Sequence, residues 1–177
     1  MAQETGASSG VNEVIDQYYS STLESVDLAE SEILKAAEEA GFDEDERHRI
    51  GMAVRECMVN AVVHGNRYNR NKTVHIGVNV EMPERPEQSA DHAGDAGTPA
   101  SQGADRAIGT RLTIRITDQG DGFEMLEVPD PLHENNLLRH SGRGLFLMGA
   151  FMDDLKVRKL PEGGTEVTLI KDVGPPE

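Results

Sequence analysis

Tryptophan is absent, and the aromatic residues amount to 4% of the chain. A platform of aromatic rings for stacking exposed bases is therefore not available, and the core must be built from aliphatic residues and methionine. Cysteine occurs once, as Cys57. A single thiol forms no internal disulfide, and a cysteine-based metal centre is excluded by count. Cys57 lies in an apolar helical stretch, so a buried structural thiol is expected. Basic residues are scarce beside acids: 17 Lys and Arg against 32 Asp and Glu give a formal charge of −15. That field repels nucleic-acid phosphates and anionic lipid, so neither nucleic acid nor membrane is an expected partner. It still permits one small anionic ligand, because a helix N-terminus or a bound cation reverses the potential locally. No run approaches the ~20 apolar residues needed to cross a bilayer. Residues 1–10 are polar and carry no apolar signal core. A cytoplasmic setting is expected.

What is present is a chain of 177 residues, a length suited to one domain with a real core. Residues 1–17 are small, polar and acidic and read as a flexible tail, followed by weak alternation over residues 18–26. Asp27 is placed to cap a helix whose apolar residues include Leu28, Ala29, Ile33, Leu34 and Ala37, and Gly41 ends it. The acids of residues 43–46 open a second helix at the positive end of its dipole. Its apolar stripe is Ile50, Ala53, Val54, Cys57, Met58, Ala61 and Val62. Residues 73–82 and 111–117 alternate as half-buried strands. Between them, residues 83–109 hold three prolines, four glycines, six alanines and no large apolar residue but Ile108. Such a segment buries no core and reads as a disordered insertion joining neighbouring strands. An irregular stretch at 124–141 precedes a third helix opened by Gly142-Arg143-Gly144, and two strands close the fold. The order β-α-α-β-β-α-β-β predicts an α/β two-layer sandwich: a mixed, mainly antiparallel sheet with helices on one face.

Four constellations carry chemistry. Glu56, Asn60 and His64 recur at four-residue spacing, so they share one face of the second helix. A carboxylate there can take a proton or orient water, and a carboxamide oxygen suits Mg²⁺. Asp118-x-Gly120-x-Gly122 ends a strand with glycines that let backbone approach a ligand. Ser141-Gly142-Arg143-Gly144 opens an apolar helix whose free N–H groups suit phosphate oxygens, with Arg139 and Arg143 nearby. Gly163-Gly164-Thr165 precedes the last strand. Taken singly, each is as ordinary as a solvated helix face, an acidic turn, a hinge or a hairpin. No GxxxxGK[ST] loop is present, which excludes a P-loop NTPase.

In this order and spacing the four resemble the nucleotide-binding boxes of the GHKL (histidine-kinase-like) ATPase superfamily. The strings around Arg55-Glu56 through His64-Gly65-Asn66 and from Gly144-Leu145-Phe146 to Asp153 are most similar to those of small anti-sigma factor serine kinases. The resemblance implies a histidine-kinase-like ATP-binding domain over residues 18–171, with ATP and Mg²⁺ as cofactors, a lid over 124–141 and a short tail at 172–177. It implies Asn60 as the Mg²⁺ ligand and Glu56 as general base toward a serine hydroxyl. It implies Asp118 as acceptor of the adenine amino group, with Thr165 beside it. His64, Gly65, Gly120, Gly122, Gly142, Gly144 and Leu145 would border the nucleotide. Arg139 takes the place of a lid arginine, a role that His140 or Arg143 can also fill. The implied partners are a sigma factor and an anti-anti-sigma (STAS-type) protein, with the chain as a homodimer. An ATP-binding anti-sigma or switch module without efficient phosphotransfer, and a stand-alone histidine-kinase catalytic domain, stay open as alternatives.

Overall fold

A computed structural model describes residues 11–82, 109–122 and 140–174, with backbone only at 140–143. The elements are β1 (Val11–Ser20), α1 (Leu23–Glu39), α2 (Glu44–Asn60), β2 (Thr73–Glu81), β3 (Arg111–Thr117), α3 (His140–Phe151), β4 (Asp154–Lys159) and β5 (Thr165–Asp172). A short π-helical segment, Ala61–Gly65, extends α2. The strands form one sheet in the order β1-β2-β3-β5-β4. Among the described residues every pairing is antiparallel, so the two-layer sandwich stands and the sheet described lacks the parallel component of the expected mixture.

Alternation decides which face is covered. Val74, Ile76, Val78 and Val80 of β2 and Leu112, Ile114 and Ile116 of β3 are buried beneath the helices. From the helical side, Val26, Ala29, Ile33 and Ala37 of α1 meet Ile50, Ala53, Val54 and Met58 of α2 in the same core. The start of α2 is held by a capping box: Glu46 N donates to Asp43 Oδ1 at 2.8 Å, and Asp43 N donates to Glu46 Oε2 at 3.0 Å. Gly41 stops α1 with a φ of 91°.

Several boundaries differ from the sequence expectation. The expected tail at 1–17 ends earlier, because β1 begins at Val11 and pairs with β2 from Val11↔Glu81 to Ser20↔Thr73. An edge strand with a bulge between Glu13 and Ile15 buries little, and only Tyr19 is fully covered, so its alternation is faint. Helix α1 starts at Leu23 behind Thr22. Asp27 does not cap it; its carboxylate accepts from Arg55 Nη2 of α2 at 2.7 Å instead. The folded part also extends past 171, since β5 includes Asp172 and the following Val173 is buried. Helix α3 starts at His140, within the expected lid, of which residues 124–139 lie outside the described residues, as do 83–108 of the insertion. The ends that flank the insertion, Glu81 and Arg111, are register partners, so it joins adjacent strands as expected.

Candidate functional site

At one end of the sandwich a cavity of about 190 Å³ opens between α2, α3 and the ends of β3 and β5. Its polar lining is Asn60, His64, Asp118 and Thr165, and its apolar walls include Ile116, Leu145, Met148 and Val167. A narrow apolar slot with a few convergent polar groups is the usual form of a small-molecule site.

Asp118 is its deepest charge, placed one residue beyond β3 and 5% exposed. Oδ1 accepts from Gly120 N at 2.7 Å and from Thr165 N at 3.3 Å. The Asp118 backbone N–H donates to Thr165 O at 3.0 Å, which ties the carboxylate to β5. Burial pushes its pKa above the ordinary carboxylate range, opposed by the Gly120 and Thr165 donors and by the more distant Lys72 ammonium.

Close approach explains the glycines. A Cβ on Gly65 would collide with the Asp118 carboxylate, and one on Gly120 would collide with the Gly65 carbonyl. The π-helical segment and the loop after β3 therefore touch backbone to backbone around Asp118. Gly164, with a φ of 94°, lies against the Asp118 carbonyl in the same way, and Gly122 packs on Gly164.

The other end of the site is built on α2 and α3. Glu56 is half-buried and lies so close to the first turns of α3 that a Cβ on Gly144 would overlap its Oε1. Asn60 Nδ2 faces the same Oε1 at 3.4 Å, a long hydrogen bond. Cys57, between them on the core side, is free and buried. Burial pushes its thiol pKa well above the usual range, with the Asp118 and Glu56 charges adding to the effect, as expected of a structural thiol.

The structure thus brings together Glu56, Asn60, His64, Gly65, Asp118, Gly120, Gly122, Gly144, Leu145 and Thr165. Arg139 lies outside the described residues. Gly142 and Arg143 fall in the first turn of α3, where only the backbone is described. Asn66 enters the sequence reading only as the last residue of the string that carries the resemblance, yet it is 1% exposed and bonded at both ends of its amide. The available signal was an asparagine wedged between a helix-ending glycine and the basic run of residues 67–72.

Residues 19–171 match the family model of the histidine kinase-like ATPase domain. The chain belongs to the histidine kinase-like ATPase family. ATP is the nucleotide that this membership assigns to it, and the five-stranded antiparallel sheet with helices on one face agrees with the family's fold. The ATPase domain is similar to proteins named anti-sigma F factor. It is 32% identical to that of Bacillus velezensis and 31% identical to that of Bacillus subtilis, each over 72% of this chain and 70% of the relative. The Clostridium botulinum anti-sigma F factor is 30% identical over 72% of this chain and 71% of its own. Among the described residues, no helix of the ATPase domain is long and apolar enough to cross a membrane.

Proposed function

We propose that this ATPase domain is an anti-sigma factor with protein serine kinase activity. It sequesters a sigma factor and transfers the γ-phosphoryl group of ATP to a serine of an anti-anti-sigma protein of the STAS type, acting as a homodimer. The observation that carries this reading is the single face of α2 that runs from Glu56 through Asn60 to His64 and Gly65 and ends against Asp118. The span from residue 56 to 65 is roughly 13 Å at helical rise, which separates a base-recognising end from a phosphate end. The similarity to proteins named anti-sigma F factor supports the choice of partner.

In this reading Asp118 accepts the exocyclic amino group of adenine, and Ile116, Leu145, Met148 and Val167 enclose the ring. The Asn60 amide oxygen is a hard ligand, and Mg²⁺ usually takes one or two protein groups beside phosphates and water. The donor set fits that pattern: one amide whose nitrogen faces the half-buried Glu56 carboxylate and whose oxygen would be the metal donor. Bound Mg²⁺ would supply neutralisation of charge on the phosphates. Glu56, one helical turn before Asn60, would be the base that takes the proton of the attacking serine hydroxyl. The backbone N–H groups at the start of α3, with Arg139 or Arg143, complete the charge stabilisation that phosphoryl transfer requires.

The test is transfer of ³²P from ATP to a STAS-type protein that carries the cognate serine. Glu56→Ala is expected to lower transfer by about 10²- to 10⁴-fold while leaving ATP affinity within a few-fold. Asn60→Ala should weaken Mg²⁺-dependent binding in calorimetry. Acid-labile label on the partner would indicate histidine in place of serine. Binding of ATP and of the sigma factor without any transfer would leave an anti-sigma module in place of a kinase.

A further inference from the structure

Asn66 is not part of the cavity lining, yet it joins three segments that meet behind Asp118. Its backbone N–H closes the π-helical segment on Ala61 O at 2.7 Å. Its Nδ2 donates to Thr73 O, the first residue of β2, at 2.9 Å. Its Oδ1 accepts from Gln119 N, the residue that follows Asp118, at 2.8 Å. The ring is completed by Thr73 N, which donates to Gln119 Oε1 at 2.8 Å. Gly65, the residue before Asn66, is the one packed on the Asp118 carboxylate.

The backbone beyond Asn66 shows how firmly this junction is held. Arg67 and Tyr68 both adopt left-handed φ values, 53° and 55°, which non-glycine residues rarely take twice in succession. Such a conformation persists only where its surroundings determine it. Tyr68 N donates to Val62 O at 2.9 Å, and Asn69 N donates to Asn66 O at 3.0 Å, which supply that determination. On the surface, Arg67 Nη2 and Asp121 Oδ2 add a bridge at 2.8 Å, but both side chains are at least 75% exposed, and such pairs contribute little.

We propose that Asn66 is a positioning residue for purine discrimination: its amide, bonded to Gln119 and Thr73, holds the Asp118 carboxylate in the orientation that accepts from a 6-amino group. The inference rests on the reading of the cavity as the adenine site. A buried acceptor discriminates against a ligand without the matching donor only if it cannot turn to another partner. An amide is required at residue 66 because one end must donate and the other accept.

The experiment titrates the full chain with ATP and with inosine triphosphate, whose 6-oxo group cannot donate. Wild type is expected to prefer ATP by about 100-fold or more. Asn66→Ala should reduce that preference by about tenfold, with affinity for inosine triphosphate held within about threefold. Gln119→Ala, at an exposed side chain, should move the ratio in the same direction by about threefold. Arg67→Ala should leave it unchanged. An unchanged ratio in Asn66→Ala and Gln119→Ala would overturn the proposal, whether the two affinities hold or fall together. If Asn66→Ala does not fold, the ratio in Gln119→Ala decides alone. Absence of an ATP preference in wild type would instead overturn the adenine reading of the cavity, and that outcome is visible before any variant is made.

Discussion

Asp118 meets two opposed demands. In its proposed role as acceptor for an amino group it must be ionised, and as a residue 5% exposed it is disfavoured in that form. Its folded pKa is raised above the unfolded value by burial. The stabilisation from this group is therefore present at low pH and is lost as pH rises through the folded pKa. Asp118→Asn removes that cost while keeping an oxygen for the Gly120 and Thr165 N–H groups. The nucleotide-free variant is expected to melt at the same temperature as wild type or higher at pH 7, while ATP affinity falls by about 100-fold or more. Parallel thermal melts and calorimetry check both halves, and full ATP affinity in the variant would remove Asp118 from recognition. In wild type, ATP binding should weaken as the pH drops through the acid range while the nucleotide-free fold gains from this residue.

Gly144 makes the complementary case at the other end of the site. A methyl group there would occupy the space of Glu56 Oε1, the tip of a flexible side chain that can swing aside. Alanine is also favoured over glycine inside a helix by up to about 1 kcal/mol. Gly144→Ala should thus leave the melting temperature equal or raised, keep ATP affinity within a few-fold and lower phosphotransfer by about 100-fold or more. Undiminished transfer would show that the position of Glu56 near α3 is irrelevant to catalysis. The need for glycine at 144 was not legible locally, since only the folded chain places Glu56, 88 residues earlier, against it.

Among the elements, α2 was the most legible, because its apolar stripe, its acidic start and its four-residue polar row all follow one period. Asp43→Ala breaks its capping box and should lower stability by about 1 kcal/mol in urea denaturation with an unchanged slope. ATP affinity should not change, because the cap lies at the end of α2 remote from Gly65. A coupled loss of affinity would mean that α2 is not rigid between them. The π-helical segment after Asn60 was not legible, because the contacts that accompany it are non-local: Asn66 reaches Thr73 at the start of β2, and Gly65 packs on Asp118 beyond β3. β1 was placed too late, at 18–26 where the strand is Val11–Ser20, for a related reason: an edge strand with one buried residue owes its structure to pairing with β2 more than to its own pattern.

Across the whole molecule, the charge of −15 dominates its response to solvent. The ion pairs on the surface, such as Arg55 with Asp27 and Arg158 with Glu166, are exposed on at least one side and contribute little. Self-repulsion among the excess acids is screened as salt is added. The melting temperature is expected to rise between about 0.01 M and 0.5 M NaCl. A fall over that range would mean that the paired surface charges outweigh the net field. The same field favours a basic protein surface as partner, so capture of a sigma factor should weaken with salt while the fold strengthens.

Period, charge and short-range chemistry were determined by the sequence itself. Alternation and helical spacing marked α2, β2, β3 and β5, and the glycine-bearing boxes carried the nucleotide resemblance. These are properties of residues a few positions apart, where side-chain period and backbone sterics act directly. The tertiary structure alone decided that Gly65 and Gly120 crowd the Asp118 carboxylate while Gly164 lies on its backbone carbonyl, that Gly144 faces Glu56, and that Asn66 clasps Gln119 across 53 residues of chain. Such contacts arise where separate elements are packed together, and no local preference at either partner encodes the other.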